Sequence, residues 1–147
     1  MEIFTIGFTQ KSAKTFFEAI CQSQADILVD IRLNNSSQLA GFSKGHDLEY
    51  FLDKLCGCRY VHDLQLAPDK RTMDDFRAGN ITWPEFRDRL IDSMNRRGAI
   101  DGFVKTHGHE RKICLLCSEV HAKDCHRTIV AELIAEKLPG TTITHLE

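Results

Sequence analysis

Short, almost uninterrupted apolar runs separated by amphipathic stretches constrain this chain more than any other feature of it. Ile27-Leu28-Val29 and Ile113-Cys114-Leu115-Leu116 leave no position for a solvent-facing side chain, as expected of strands buried on both faces of a parallel sheet. Stripes at helical spacing lie before, between and after them. Ala13, Phe16, Phe17, Ile20 and Cys21 follow the N-cap candidate Ser12, and Leu48, Phe51, Leu52 and Leu55 run from Asp47 as cap to Gly57 as stop. Trp83, Phe86, Leu90, Ile91 and Met94 follow a Thr82/Glu85 capping box, and Ile129, Val130, Leu133, Ile134 and Leu138 follow Asp124 as cap. Further strands are predicted over residues 3–6, 59–62 and 142–145 and a short helix over 69–79, whereas 99–110 is ambiguous. Strands that alternate with helices require crossover connections. The expected fold is α/β with three layers: a mainly parallel sheet of about five strands flanked by helices, Rossmann-like or flavodoxin-like.

A chain of 147 residues fits one such domain, 1–147, with one hydrophobic core. Its longest apolar runs are far shorter than the roughly 20 residues a membrane helix needs, so no membrane partner is expected. The start Met1-Glu2-Ile3-Phe4 runs straight into strand-like sequence without a basic leader, which gives a cytoplasmic expectation. In a reducing cytosol the six cysteines are expected as free thiols used for packing, metal or thiolate chemistry. A net charge of −2 with interspersed signs advertises no broad basic face, so a nucleic-acid partner would have to be held locally. The oligomeric state is left open.

In a parallel sheet, ligands bind beyond the carboxyl ends of the strands. Those ends here are Gly7-Phe8-Thr9, Asp30-Ile31-Arg32, His62-Asp63, Cys117-Ser118-Glu119 and the region of His145. The strongest local feature is Asp124-Cys125-His126-Arg127 at the start of the last long helix. A helix N-terminus favours anions and lowers a thiol's pKa, and an arginine there adds a bidentate donor. For Cys21, Cys56 and Cys114, which sit in apolar stripes, simple packing is the favoured reading. A four-ligand metal site, Cys114-x2-Cys117-x3-His121-x3-Cys125, is disfavoured because Cys114 and Cys117 differ by an odd number of positions and point to opposite sheet faces. A partial site drawn from Cys117, His121, Cys125 or His126 stays open. Cys117 precedes Arg127 by ten positions and Cys125 precedes it by two, which does not match a cysteine-phosphatase loop. No G-x-x-x-x-G-K-[ST], G-x-G-x-x-G or G-x-S-x-G motif is present, and the cofactor is unknown. His107-Gly108-His109-Glu110 reads as an exposed loop at the opposite end of the sheet.

The chain resembles the family called domain of unknown function 488 over nearly its whole length. The resemblance rests on Thr5-Ile6-Gly7-Phe8-Thr9, Ser12, Phe16-Phe17, Asp30-Ile31-Arg32-Leu33-Asn34-Asn35, Ser37-Gln38-Leu39-Ala40-Gly41-Phe42, Lys44, Tyr60, His62, Leu66-Ala67-Pro68, Trp83, Cys114-Leu115-Leu116-Cys117-Ser118-Glu119 and Cys125-His126-Arg127. It departs where the broader family often has a histidine after the glycine and a proline beyond the aspartate and arginine, positions held here by Phe8 and Asn35. The resemblance implies an α/β fold and a shared site but no established activity.

Together these readings select Cys117, Glu119, Cys125 and His126 as catalytic candidates, and Thr9, Asp30, Arg32, Asn34, Asn35, Ser37, Gln38, Lys44 and Arg127 as ligand-binding candidates. The amides can read a base or sugar edge and the guanidinium groups can hold phosphates. Three functions follow as expectations: an enzyme acting on a phosphate-bearing ligand such as a nucleotide, with Cys117 or Cys125 as thiolate and Glu119 or His126 as acid/base; a nucleotide or nucleic-acid binding module without turnover; and a zinc-binding or thiol redox protein, in which Cys117 and Cys125 could also pair as a disulfide. Arg127 is expected to face the crevice within reach of Glu119 or Asp30, holding a carboxylate that it gives up to an anionic ligand.

Overall fold

The structure, a computed structural model, describes residues 1–36, 41–119, 122, 123 and 125–147. Five strands alternate with helices: β1 (Glu2–Gly7), α1 (Ala13–Ser23), β2 (Ile27–Asp30), α2 (Gly45–Cys56), β3 (Arg59–His62), α3 (Lys70–Arg77), α4 (Trp83–Arg97), α5 (Ala99–His107), β4 (Lys112–Cys117), α6 (His126–Lys137) and β5 (Thr142–Leu146). All neighbouring strands pair in parallel, in the order β3-β2-β4-β1-β5. This is the expected three-layer α/β class, in a variant that inserts β4 between β1 and β2.

Strand alternation sorts the core into two layers. Ile3, Ile27, Val29, Ile113, Leu115 and Cys117 pack with Phe86, Leu90 and Met94 of α4, Ile100 and Phe103 of α5, and Ile129, Val130 and Ile134 of α6. Their alternates Ile6, Leu28, Cys114 and Leu116 face Phe16, Phe17 and Ile20 of α1 and Leu48 and Leu52 of α2. Cys114 and Cys117 therefore lie on opposite faces, as their odd spacing requires. Each fully buried large aliphatic side chain contributes roughly 1.5–3 kcal/mol, so these layers carry most of the stability.

Helix boundaries follow local chemistry. Ser12 accepts the Thr15 N–H to start α1, and Thr82 and Glu85 form a reciprocal capping box at α4, with Pro84 in its first turn. Gly57 and Gly98 end α2 and α4 in the left-handed conformation that suits glycine. Three boundaries differ from expectation, one of them the start of α6, whose N-cap is Cys125 rather than Asp124. The helix α2 begins two residues before Asp47, because Gly45 N–H is held by the Asn35 carbonyl at 2.9 Å, a long-range bond. The ambiguous stretch after Gly98 is the helix α5, and in the following turn Glu110 is buried and ion-paired to Arg59. Of the 107–110 loop, His109 is exposed as expected, whereas His107 packs against Phe103 with ring centroids 5.2 Å apart.

The expectation of six free thiols is overturned at two positions. Cys21 and Cys56 form a disulfide with Cα atoms 4.8 Å apart, whereas Cys58, Cys114, Cys117 and Cys125 are free and buried. Both bonded residues sit in the last turns of α1 and α2, and the packing of those two helices on one sheet face brings their ends together. No helix among the described residues is long and apolar enough to cross a membrane.

Candidate functional site

Parallel pairing gathers the carboxyl ends of all five strands at one edge. Gly7 and Cys117 end β1 and β4 in register with one another. From there the chain after β1 leads toward β2 and the chain after β4 leads toward β5, so the two outgoing segments pass each other. They touch at that crossing. Thr9 N–H donates to the Ser118 carbonyl at 3.2 Å, and the Thr9 hydroxyl donates to the same oxygen. A Cβ on Gly7 would lie 1.6 Å from the Glu119 carbonyl oxygen and 2.6 Å from Arg127 Nη1. Gly7 thus serves close approach, by another part of the chain.

Under this crossing lies a buried cluster. Cys125 is the N-cap residue of α6, and His126 and Arg127 form its first two positions. The sulfurs of Cys117 and Cys125 are 2.6 Å apart. Arg127 is fully buried; its Nη1 donates to Cys117 Sγ at 3.2 Å and to the Glu119 main-chain carbonyl at 2.6 Å. Arg127 lies against the end of β4 and its contact with Glu119 is to the main-chain carbonyl rather than to the expected carboxylate; the Glu119 side chain is exposed. Burial alone would push the Cys117 thiol up, but the Cys125 thiol, the Arg127 guanidinium and the Glu119 backbone N–H favour its thiolate, and the balance is a lowered pKa. Cys125 is pushed up, first by its hydrogen bond to Cys117 and then by burial. Of the two, Cys117 is therefore the more acidic.

His126 is buried beside the pair, its Nε2 3.0 Å from the Ile31 carbonyl. A carbonyl only accepts, so Nε2 carries the proton and Nδ1 the lone pair. Burial lowers its pKa to about 4, so the imidazole is neutral at neutral pH. Protonation must then favour the unfolded chain, where histidine titrates near 6.5. Stability supplied by neutral His126 is present above pH 6.5 and lost as pH falls through about 4. The expected loss is on the order of 3 kcal/mol. Denaturant midpoints measured across that window for the wild type and for His126→Gln, which should lack this component, check it; parallel pH profiles would exclude it.

A second, adjacent network surrounds the end of β2. Asp30 is fully buried and accepts from Arg32 Nε at 2.8 Å, Arg32 Nη2 at 2.7 Å, Arg32 N–H at 3.1 Å and the Tyr60 hydroxyl at 2.7 Å. Arg32 Nη2 also donates to the Ser43 carbonyl at 2.6 Å, and the guanidinium lies 5.3 Å from the centroid of Phe8. The Asn35 amide donates to the Tyr60 oxygen at 3.0 Å, and His62 Nε2 lies 2.7 Å from the Arg32 carbonyl. The network pins the segment after β2 and hence the Ile31 carbonyl that orients His126.

The structure thus brings Cys117, Cys125, His126, Arg127 and Thr9 into one cluster, with the Glu119 backbone, and sets Asp30, Arg32 and Asn35 beside it. Asn34 is exposed and turned onto Ser36, whose N–H and hydroxyl it accepts at 2.9 and 2.8 Å. Lys44 lies apart, lining a cavity of about 450 Å³ with Asn35, Ser36, His46 and Tyr60. Ser37, Gln38, His121 and Asp124 lie outside the described residues. Sequence reasoning missed Lys11, half-buried at the crossing, whose pKa is lowered by burial and by Arg127. A basic residue four positions after a strand's terminal glycine was the available signal. The Ile31 carbonyl has no sequence signal, since main-chain acceptors are common to every residue.

No curated protein and no solved structure matches this chain. A family model does, over residues 12–134, a span that holds the buried Asp30–Arg32 network and the whole Cys-His-Arg helix start. The chain belongs to the family described as domain of unknown function DUF488.

Proposed function

We propose that this protein is a thiol-dependent redox enzyme in which Cys117 is the attacking thiolate and Cys125 the resolving thiol. The observation that carries this is the pair of buried sulfurs 2.6 Å apart with Arg127 Nη1 donating to Cys117 Sγ, which assigns different roles to two identical side chains. Cys117 attacks one sulfur of a substrate disulfide and expels its partner as a thiolate. Cys125 then loses its proton, attacks Cys117 and releases the second thiolate. Two electrons pass to the substrate and a Cys117–Cys125 disulfide remains. In a cytoplasmic setting, the location this reading assumes, cellular thiols return it to the dithiol.

Equilibration of metal-free protein in glutathione buffers tests the proposal. A Cys117–Cys125 disulfide should form and reverse, Cys117→Ser should abolish it, and Cys125→Ser should trap glutathione on Cys117. Absence of any such disulfide in oxidised glutathione, with the protein folded, would rule the proposal out.

A phosphate-bearing ligand, nucleotides and nucleic-acid components included, is a second reading favoured by Lys11. Its ammonium sits close enough to Arg127 to be destabilised by it, and an anion placed between them would relieve that repulsion. Binding without turnover would give a raised Tm with nucleotides or phosphate, an effect reduced by Lys11→Ala.

A further inference from the structure

We propose that Cys117, Cys125 and His126 form a Cys2His zinc site. Their ligand atoms all lie within 4.8 Å of one another, and all three residues are buried. Tetrahedral zinc has Zn–S bonds of about 2.3 Å and Zn–N bonds of about 2.0–2.1 Å, which sets neighbouring ligand atoms roughly 3.4–3.8 Å apart. The triad already spans that size; the two sulfurs separate by about 1 Å on binding. Cys114 takes no part because it faces the other core layer.

The surroundings of the triad are those of a metal site rather than of a chance contact. Metal-bound imidazoles almost always donate their other ring N–H to a carbonyl, carboxylate or water, which fixes the tautomer. The His126 ring is held this way by the Ile31 carbonyl at 3.0 Å, leaving the Nδ1 lone pair for the ion. Cys117 carries an outer donor of its own, Arg127 Nη1 at 3.2 Å. The ligands come from the end of β4 and the start of α6, so sheet and helix set their separation. The described residues add no fourth ligand to the group. On binding, two Zn–S bonds and one Zn–N bond form, and the protons carried by the two thiols go to solvent.

The site shares Cys117 and Cys125 with the redox reading, on which it rests for their solution chemistry, and the zinc-loaded and disulfide forms exclude each other. Reduced, chelator-treated full-length protein is titrated with zinc chloride, and with cobalt(II) as a spectroscopic probe. One ion per chain is expected, with Cys117 and Cys125 protected at least tenfold from alkylation. The cobalt complex should show thiolate charge-transfer and tetrahedral ligand-field bands. His126→Gln, whose amide can still donate to Ile31, should weaken zinc at least tenfold, while Cys58→Ser leaves it unchanged. Unprotected cysteines in the wild type, unchanged affinity in His126→Gln, or capture of Cu⁺ with no binding of Zn²⁺ would each overturn the zinc assignment. The glutathione couple measured without metal separates the two proposals: zinc binding without a disulfide removes the redox reading alone, and a disulfide without zinc binding removes the metal alone.

Discussion

Gly7→Ala is expected to destabilise the protein by about 3 kcal/mol or more, although it adds a single methyl group to a strand end. The ideal position of that methyl is 1.6 Å from the Glu119 carbonyl oxygen and 2.6 Å from Arg127 Nη1. The nearest obstacle is backbone, so no rotamer change relieves it, and the two segments crossing at the ends of β1 and β4 must part. Separation breaks the Arg127–Glu119 bond and leaves a buried guanidinium short of an acceptor. It also loosens the Thr9 contacts to Ser118. The denaturant midpoint reports the stability, and the alkylation rate of Cys117 reports the site and should rise with it. A midpoint within about 0.5 kcal/mol of wild type would mean that the crossing is not tightly packed.

Asp30→Ala is the other substitution with a large expected cost, about 3–5 kcal/mol. It removes an acceptor of four hydrogen bonds and leaves Arg32, 3% exposed, with its charge uncompensated beneath the chain. Breaking one side of a buried ion pair is costlier than removing both, because the surviving charge has lost its partner while remaining away from water. The double variant Asp30→Ala/Arg32→Met should therefore be less destabilised than Asp30→Ala alone, and a double-mutant cycle on unfolding free energies measures the coupling. Additive effects would show that Arg32 escapes to solvent when its partner is removed. Because this network holds the segment containing the Ile31 carbonyl, Asp30→Ala should also disturb His126, visible as a changed imidazole titration.

Both substitutions fall on residues that the sequence marks as strand ends, yet the reason each matters is not written there. The apolar runs, their alternation and the capping residues Ser12, Thr82 and Glu85 determine locally which segments are strands and helices, because a buried strand and an amphipathic helix each need their own hydrophobic period. Parallel pairing follows from that alternation, and with it the gathering of Gly7, Asp30, His62 and Cys117 at one edge. The odd spacing of Cys114 and Cys117 alone separates them onto opposite faces. What only the tertiary structure decided depends on which strand lies beside which. Insertion of β4 between β1 and β2 makes the outgoing segments cross, and that crossing lays the Glu119 carbonyl on Gly7 and the Arg127 guanidinium against Cys117. The packing of α1 on α2 joins Cys21 to Cys56, two thiols that local pattern assigns to separate apolar stripes. Arg32, an apparent anion-holding arginine by position, is turned inward onto Asp30 because the Ser43 carbonyl and Tyr60 close over it from segments far along the chain. Periodicity is a property of neighbours in sequence, whereas the approach of backbone to side chain at 3 Å is set by the order of strands and the crossing of loops, which no local pattern encodes.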